Sequence, residues 1–409
     1  MQLRDLYGVN ASMSDFKKRV TNLENRFESL FSKKPKYLFS SSGRAEIIGN
    51  HTDHNHGKVI VSAISCDVLA SVEKTDDEII KIYSLGFDPF SVNVNDTKIN
   101  QSEYGKSIAL VKGVVKAIKD RGYKVGGFNM VADSNIFRGA GVSSSAAFEL
   151  LICEVLNVLY LDCALNKVEK AMISQYSENV YFGKPCGLLD QSGISLGGLN
   201  KIDFNIPTEP VIENLTSPEG YTLVITNTGG SHSALTEHYS DIRREMQSVA
   251  DYFGKKVLRE ISFEEFFASI SEIRKRVSER AVLRAFHFFE ENERVDNAAK
   301  ALSLGCVDEF LNAISESGKS SLNCLQNCFI PGSCEQPISL AIRMSERLIK
   351  NGAVRVHGGG FAGTIIAYIS DLESEKYIAE MSKVFGEENV FCANVRKLGA
   401  TSINMDKLI

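Results

Sequence analysis

From Phe16 the apolar residues Val20, Leu23, Phe27, Leu30 and Phe31 recur at steps of four and three. That is the period of a helix with one apolar face, and Ser14 stands where it can cap the first turn. A different pattern follows. "KYLFSSS", "KVIVSAISCDVLASVEK", "IIKIYSL" and "FSVNVN" are runs rich in β-branched and aromatic residues, the last alternating apolar with polar, and predict four strands. Helical period returns in "SIALVKGVVKAIKDRG", and "GFNMVAD" reads as another strand. "RGAGVSSSAAFELLICEVLNVLY" then carries a glycine- and serine-rich loop straight into an apolar helix.

The order of elements is mixed, neither strict βαβ alternation nor all strand, which predicts an α+β fold. "YTLVITNTGG" reads as a buried strand after the turn-rich "NIPTEPVIENLTSPEG". A boundary is therefore expected between residues 205 and 220, giving an N-terminal lobe, 1–210, and a C-terminal lobe, 211–409. Helical patterns dominate from there to Lys350, before "AVRVHGGGFAGTIIAYIS" supplies a strand, a glycine turn and a second strand. Two lobes with a cleft between them are the economical arrangement.

Composition narrows the class. The 409 residues exceed one core at roughly 150 residues per domain, and 44% hydrophobic with 24% charged residues is a globular balance. A net charge of −5 disfavours a general binder of nucleic-acid backbone, since a basic face would have to form against the overall field. No apolar stretch has signal-peptide form, and none approaches the ~20 residues of a membrane span. A cytoplasmic protein, with no membrane or nucleic-acid partner, is expected. The nine cysteines read as reduced thiols, and the densest group, "CLQNCFIPGSC", lacks a CxxC pair and a nearby histidine, so it reads as buried thiols.

The chemistry concentrates in a few segments. In "RGAGVSSSAAFELL", glycines allow close approach to an anion, and the serines put backbone N–H groups and hydroxyls at a helix N-terminus. A phosphate cradle and an ordinary capped helix both fit that segment alone. It is neither a Walker loop, lacking Gly-Lys-Ser/Thr, nor a dinucleotide fingerprint, lacking the third glycine. "HGGGFAGT" lies between two strand-like runs, where its glycines can line a ligand or let elements pack closely. "CGLLDQSGISLGG" sets Asp190 among glycines and apolar residues, suiting either a buried base or a turn cap. "GRAEIIGNHTDHNHG" alternates His51, His54 and His56, yet has no metal-ligand helix spacing and no nucleophile elbow. What remains is a dense mix of donors and acceptors of the kind a polyhydroxylated sugar needs.

Taken together, these residues resemble the galactokinases, within the superfamily of kinases acting on galactose, homoserine, mevalonate and phosphomevalonate. "GRAEIIGNHTDHNHG" looks like the galactokinase signature, "GAGVSSSAA" like the superfamily phosphate loop and "HGGGFAGT" like its C-terminal glycine motif. Their order and spacing match, as do "CGLLDQ" and "HSALTEHYSDIRRE" between them, so the resemblance spans nearly the whole chain. It implies a two-lobed small-molecule kinase fold with mixed sheets and helices and its active site between the lobes. It also implies ATP- and Mg²⁺-dependent phosphorylation of the anomeric hydroxyl of galactose, by a monomer. Carried over residue by residue, Asp190 is the catalytic base and Arg44 its charge-stabilising neighbour. Asn50, His51, Asp53 and Tyr239 contact the sugar, Gly139, Gly141, Ser144 and Ser145 wrap the ATP phosphates, and Ser145 with Glu178 ligates Mg²⁺.

Two departures bear on the sugar. Where the family commonly has glutamate in "GEHTDYN" this chain has Asn50, and where it has tyrosine there is His54. By resemblance the glutamate reaches the 6-position, so phosphorylation at C1 is better founded than galactose itself, and an asparagine there is expected to relax selectivity at C6. A kinase for a C6-altered relative such as galacturonate, and a catalytically silent sugar sensor, are the rival readings; the Ser145–Ala146 pair favours an enzyme. Ala362 replaces a usual glycine in the third motif, a one-methyl change the fold is expected to tolerate.

Overall fold

The computed structural model describes residues 1–8, 11–136, 141–229 and 235–408. Its strands are β1 (Tyr37–Ile48), β2 (Lys58–Lys74), β3 (Ile79–Ser84), β4 (Phe90–Asn93), β5 (Phe128–Ser134), β6 (Leu199–Asp203), β7 (Val211–Leu215), β8 (Tyr221–Asn227), β9 (Gly352–His357), β10 (Thr364–Ser370), β11 (Val390–Cys392) and β12 (Thr401–Ile403). The larger sheet runs β12-β1-β2-β5-β3-β4, with β6 also pairing β2 and β7 pairing β6. β3 and β5 are parallel and the other pairs of this sheet antiparallel. The smaller sheet, β11-β8-β10-β9, is antiparallel throughout. Segregated sheets flanked by helices make this the expected α+β architecture.

Alternation along the central strands decides which helices cover which face. Leu38, Leu69 and Val131 point to one side, where the helix Met13–Phe31 lays down Phe16, Val20, Leu23 and Phe27. Their neighbours Phe39, Val68, Ala70, Met130 and Ala132 point to the other, onto the helices Ser107–Asp120 and Ser144–Tyr160. Period two on the strands thus meets period 3.6 on the helices. Truncating the fully buried Phe27 to alanine would cost about 3–5 kcal/mol.

Three local expectations need correction. The N-cap is Ser12, in extended conformation with its Oγ accepting from Asp15 N at 3.2 Å, and Ser14 lies inside the first turn. The turn-rich stretch after residue 205 contains β7, whose exposed Val211–Leu215 pairs only with β6. Of the clustered thiols only Cys328 is buried; Cys324 is half-buried and Cys334 exposed, because the loop around Pro331 and Gly332 carries Cys334 to the surface. Among the described residues no helix is long and apolar enough to cross a membrane.

Candidate active site

The first sheet delivers Arg44 and Glu46 on β1, and the second delivers His357 and Thr364 at the facing ends of β9 and β10. His357 joins them. Its Nε2 accepts from Glu46 N–H at 3.0 Å, and its Nδ1–H therefore donates to Thr364 Oγ1 at 2.9 Å. Burial, then Arg44 and Arg355, hold this imidazole well below its usual pKa, as an accepting Nε2 requires. A Cβ on Gly141, in the glycine- and serine-rich segment before the helix Ser144–Tyr160, would come within 2.8 Å of Thr364 Oγ1, and its φ of +61° is left-handed, so glycine is needed for conformation and for room.

Asp190 lies in the first turn of the helix Leu189–Leu196. Its Oδ1 accepts from Arg44 Nε at 2.8 Å and lies 2.7 Å from Arg44 Nη2; its Oδ2 accepts from the Ser143 hydroxyl. Arg44 Nη1 also donates to the Gly141 carbonyl, tying the acid to the loop. Burial alone would raise the Asp190 carboxyl, but the Arg44 guanidinium, the Ser143 hydroxyl and Lys184 outweigh it and hold the group below the ordinary aspartate range. Asp53 caps the same helix: its Oδ2 accepts from Leu189 N at 3.1 Å. Burial, only partly offset by that N–H, raises the Asp53 carboxyl.

A second carboxylate sits beside the helix Ser144–Tyr160. Glu178, fully buried in a π-helical turn Ser177–Phe182, accepts from Ser145 Oγ at 2.9 Å and Lys184 Nζ at 3.1 Å through Oε1, and from Gln191 Nε2 at 2.7 Å through Oε2. Nearby on the same helix as Ser145, burial and then Glu178 push the Glu149 carboxyl well above its ordinary value. Ser143, immediately before that helix, has a left-handed φ of +60°, a strained conformation of the kind that collects at ligand sites.

The opposite side is a turn held from behind. Asn50 is fully buried: Nδ2 donates to Glu46 Oε1 and Gly358 O, both at 2.7 Å, and Oδ1 accepts from Asn327 Nδ2 at 2.8 Å. Its carbonyl accepts from His287 Nε2 at 2.8 Å, and Gly49 N donates to Glu291 Oε1 at 3.0 Å. His51 Nε2 donates to Gly359 O at 3.0 Å, and Tyr239 Oη to Gly360 O at 3.1 Å. A Cβ on Gly359 would lie 2.4 Å from the Tyr239 ring, so only glycine lets that ring approach. Burial lowers both His51 and His287 to about 4. Ala362 is buried, in the same apolar core of the second half as Phe361.

Of the residues singled out from sequence, Arg44 with Asp190 and Ser145 with Glu178 are in direct contact, while Asn50, His51 and Tyr239 converge on the Gly358–Gly360 turn. Ser144 opens its helix and is exposed. Gly139 lies outside the described residues. Ser143, Lys184, Gln191, Glu46, His287 and His357 escaped that reading. Ser143 is the last residue before a predicted helix, and Glu46, Gln191 and His357 lie inside the quoted motifs; Lys184 and Gln191 meet Glu178 within one stretch, whereas Glu46 with His357 and His287 with Asn50 meet across more than 200 positions.

Residues 25–74 match the galactokinase galactose-binding signature and residues 109–198 the GHMP kinases N terminal domain. The chain is 32% identical over 371 residues to a galactokinase of Glaesserella parasuis serovar 5, covering 87% of this chain and 92% of that one. It is 31% identical over 382 residues to the Clostridium tetani galactokinase, covering 90% and 93%. The fold superposes on Lactococcus lactis galactokinase complexed with galactose with a TM-score of 0.84 at 24% identity, over 94% of this chain and 100% of that one. A mevalonate kinase superposes with a TM-score of 0.61 at 14% identity, over 87% and 98%.

Proposed function

This chain belongs to the galactokinase family, and on that premise we propose that it transfers the γ-phosphoryl group of ATP to the anomeric hydroxyl of galactose. The observation that carries the reading is the junction of Arg44, Asp190, Ser143 and Gly141, which puts a carboxylate in hydrogen-bond contact with the start of a phosphate-cradling helix. A nucleophile held by that carboxylate and a phosphoryl group held by that helix would be neighbours, and alignment is most of what phosphoryl transfer asks of a protein.

Asp190 is ionised at neutral pH and is a weak base, so it orients the sugar hydroxyl in the ground state. It receives the proton as the oxygen bonds to phosphorus and the bond to the bridging oxygen of ADP breaks. Arg44 fixes the carboxylate and faces the charge that develops on the transferred group. Gly141, Ser144 and Ser145 belong to the phosphate loop, to which the resemblance adds Gly139, and the turn from Asn50 to Asp53 with Tyr239 forms the sugar pocket. The hydroxyl of Ser145 and the carboxylate of Glu178 are hard oxygen donors on one side of the loop, a pair that suits Mg²⁺, which takes one or two protein oxygens beside phosphate oxygens and water. When bound there, the cation neutralises phosphate charge. The two-lobe division at residue 210 belongs to the same reading, with β7, just past it, and β12 both joining the first sheet.

The purified protein incubated with ATP, Mg²⁺ and a panel of hexoses, uronates and pentoses should convert galactose to a sugar phosphate whose ³¹P signal couples to the anomeric proton. Phosphate on any other carbon, or no turnover with any sugar, overturns the assignment. Strong preference for galacturonate would retain the C1 chemistry and change the substrate.

A further inference from the structure

Asn50 occupies the place of a glutamate that, by resemblance, reaches the sugar, but its own side chain is fully buried. Both N–H groups of its amide donate within the protein, to Glu46 and Gly358, while its oxygen holds Asn327. The carboxylate at 2.7 Å from it is therefore of interest. Glu46 follows Arg44 by two residues in an unbroken stretch of β1 register, Arg44 opposite Ala63 and Glu46 opposite Val61, so the two side chains leave the same face of the strand. Arg44 on that face reaches Asp190. Glu46 takes Asn50 Nδ2 and, at 3.4 Å, Arg355 Nη1 on Oε1; among the described residues its Oε2 accepts no hydrogen bond.

We propose that Glu46 supplies the negative charge that position 50 lacks, with Asn50 acting as the donor that orients it and Oε2 receiving a hydroxyl of the sugar. The inference rests on the sugar 1-kinase reading and adds a specificity-determining residue to it. Asn50 and Glu46 are then one unit, an amide and a carboxylate sharing a contact, and the pocket keeps its charge. The tolerance toward a 6-carboxylate expected from Asn50 alone does not follow, since Glu46 would repel it. Glu46 is 4% exposed, and burial lifts its carboxyl to about 7, so the charge it supplies is partial at neutral pH and full above it, and the group can accept from a hydroxyl or, when protonated, donate to one.

The test is a substitution cycle read by steady-state kinetics on galactose and galacturonate and by thermal unfolding without substrate. Asn50→Glu places two carboxylates in one contact and removes the donor to the Gly358 carbonyl; kcat/KM for galactose should fall by about 100-fold or more, and Tm should drop. Combining Glu46→Asn with Asn50→Glu restores one amide and one carboxylate and should recover about tenfold or more over Asn50→Glu alone, with Tm rising in parallel. Glu46→Gln keeps the contact with Asn50 and removes a buried carboxyl that is costly to ionise, so it should not lower Tm. It should raise KM for galactose by about tenfold with a smaller change in kcat, and improve the galacturonate-to-galactose ratio. An Asn50→Glu enzyme within twofold of wild type, a combined variant no better than Asn50→Glu, or an unchanged KM in Glu46→Gln each overturns the inference while wild-type turnover leaves the kinase reading standing. If wild type phosphorylates no sugar, both fall together.

Discussion

Around Ser145, Glu178 and Asp190 the site is built from charges: Asp190 is paired with Arg44 and held by the Ser143 hydroxyl, and Glu178 is paired with Lys184 and held by Ser145 and Gln191. Around Asn50 and His51 it is built mainly from imidazoles held neutral and from amides and carbonyls, with its charges set behind the turn: Glu46 beside Asn50 and Arg355, and Glu291 on the Gly49 N–H. The difference follows the ligands proposed for each wall. A phosphoryl group carries charge that grows and moves during transfer, so fixed counter-charges stabilise it. A sugar is neutral and is recognised by the positions of donors and acceptors, which buried, hydrogen-bonded neutral groups hold most rigidly. Disturbing the charged wall should therefore act on turnover, and disturbing the neutral wall on stability and sugar affinity.

The largest effect is expected at the junction of the walls. Asp190→Asn keeps the shape and removes the accepting charge, and kcat should fall by about 10² to 10⁴ with a smaller change in sugar affinity. Near-normal turnover in a folded variant would dismiss Asp190 as the base. Next comes the neutral wall: His357→Ala leaves the Glu46 N–H and the Thr364 hydroxyl without their partner, which should cost about 2–5 kcal/mol of stability. The check is the thermal midpoint, and an unaltered midpoint would show that His357 is not the link between the two sheets. Ser145→Ala should lower kcat by about tenfold and raise the Mg²⁺ concentration needed for half-maximal rate, with sugar binding in the absence of nucleotide preserved. Unchanged Mg²⁺ dependence would place the cation elsewhere.

The smallest effect is the pH dependence of unfolding. His51 and His287 are lowered from 6.5 to about 4, so the unfolded chain binds protons that the folded chain does not, and their stabilisation is present above pH 6.5 and lost as pH falls toward 4. Glu46 has the opposite sign. Raised from 4.5 to about 7, it contributes most below pH 4.5 and loses that contribution as pH rises through 7. His54 and His357 are lowered in the same sense and Glu149 is raised like Glu46; each group is worth at most about 1.4 kcal/mol per pH unit, and with these four imidazoles against two carboxyls a net loss of stability is expected on acidification from 6.5 to 4.5. Glu46→Gln should steepen that loss; a flat profile in both proteins would mean that the imidazoles are not held neutral.

Much of this arrangement was legible in the sequence for a stated reason. The helix at Phe16, the long strand from Lys58 to Lys74 and the apolar helix after the serine loop each declare themselves through a repeat of two or 3.6 residues within one stretch. The motifs around Arg44, Ser145 and Asp190 were readable in the same way, because donor-rich turns and helix starts are built from adjacent residues. β7 was not, since its five residues are largely exposed and their polar pattern reads as loop until β6 pairs with them.

Local periodicity, capping and the placement of glycine thus determined the elements, the α+β class and the segments that carry chemistry. Tertiary structure alone decided which buried groups meet. Glu46 N–H finds His357 across 311 positions, Gly49 finds Glu291 across 242, and Asn50 spends its amide on Glu46, Gly358 and Asn327. The physical reason is range. A helix or turn is selected by interactions over a few residues, whereas the charge and hydrogen-bond state of a buried side chain depends on whatever folding brings within about 3 Å of it, and no single stretch of sequence records that.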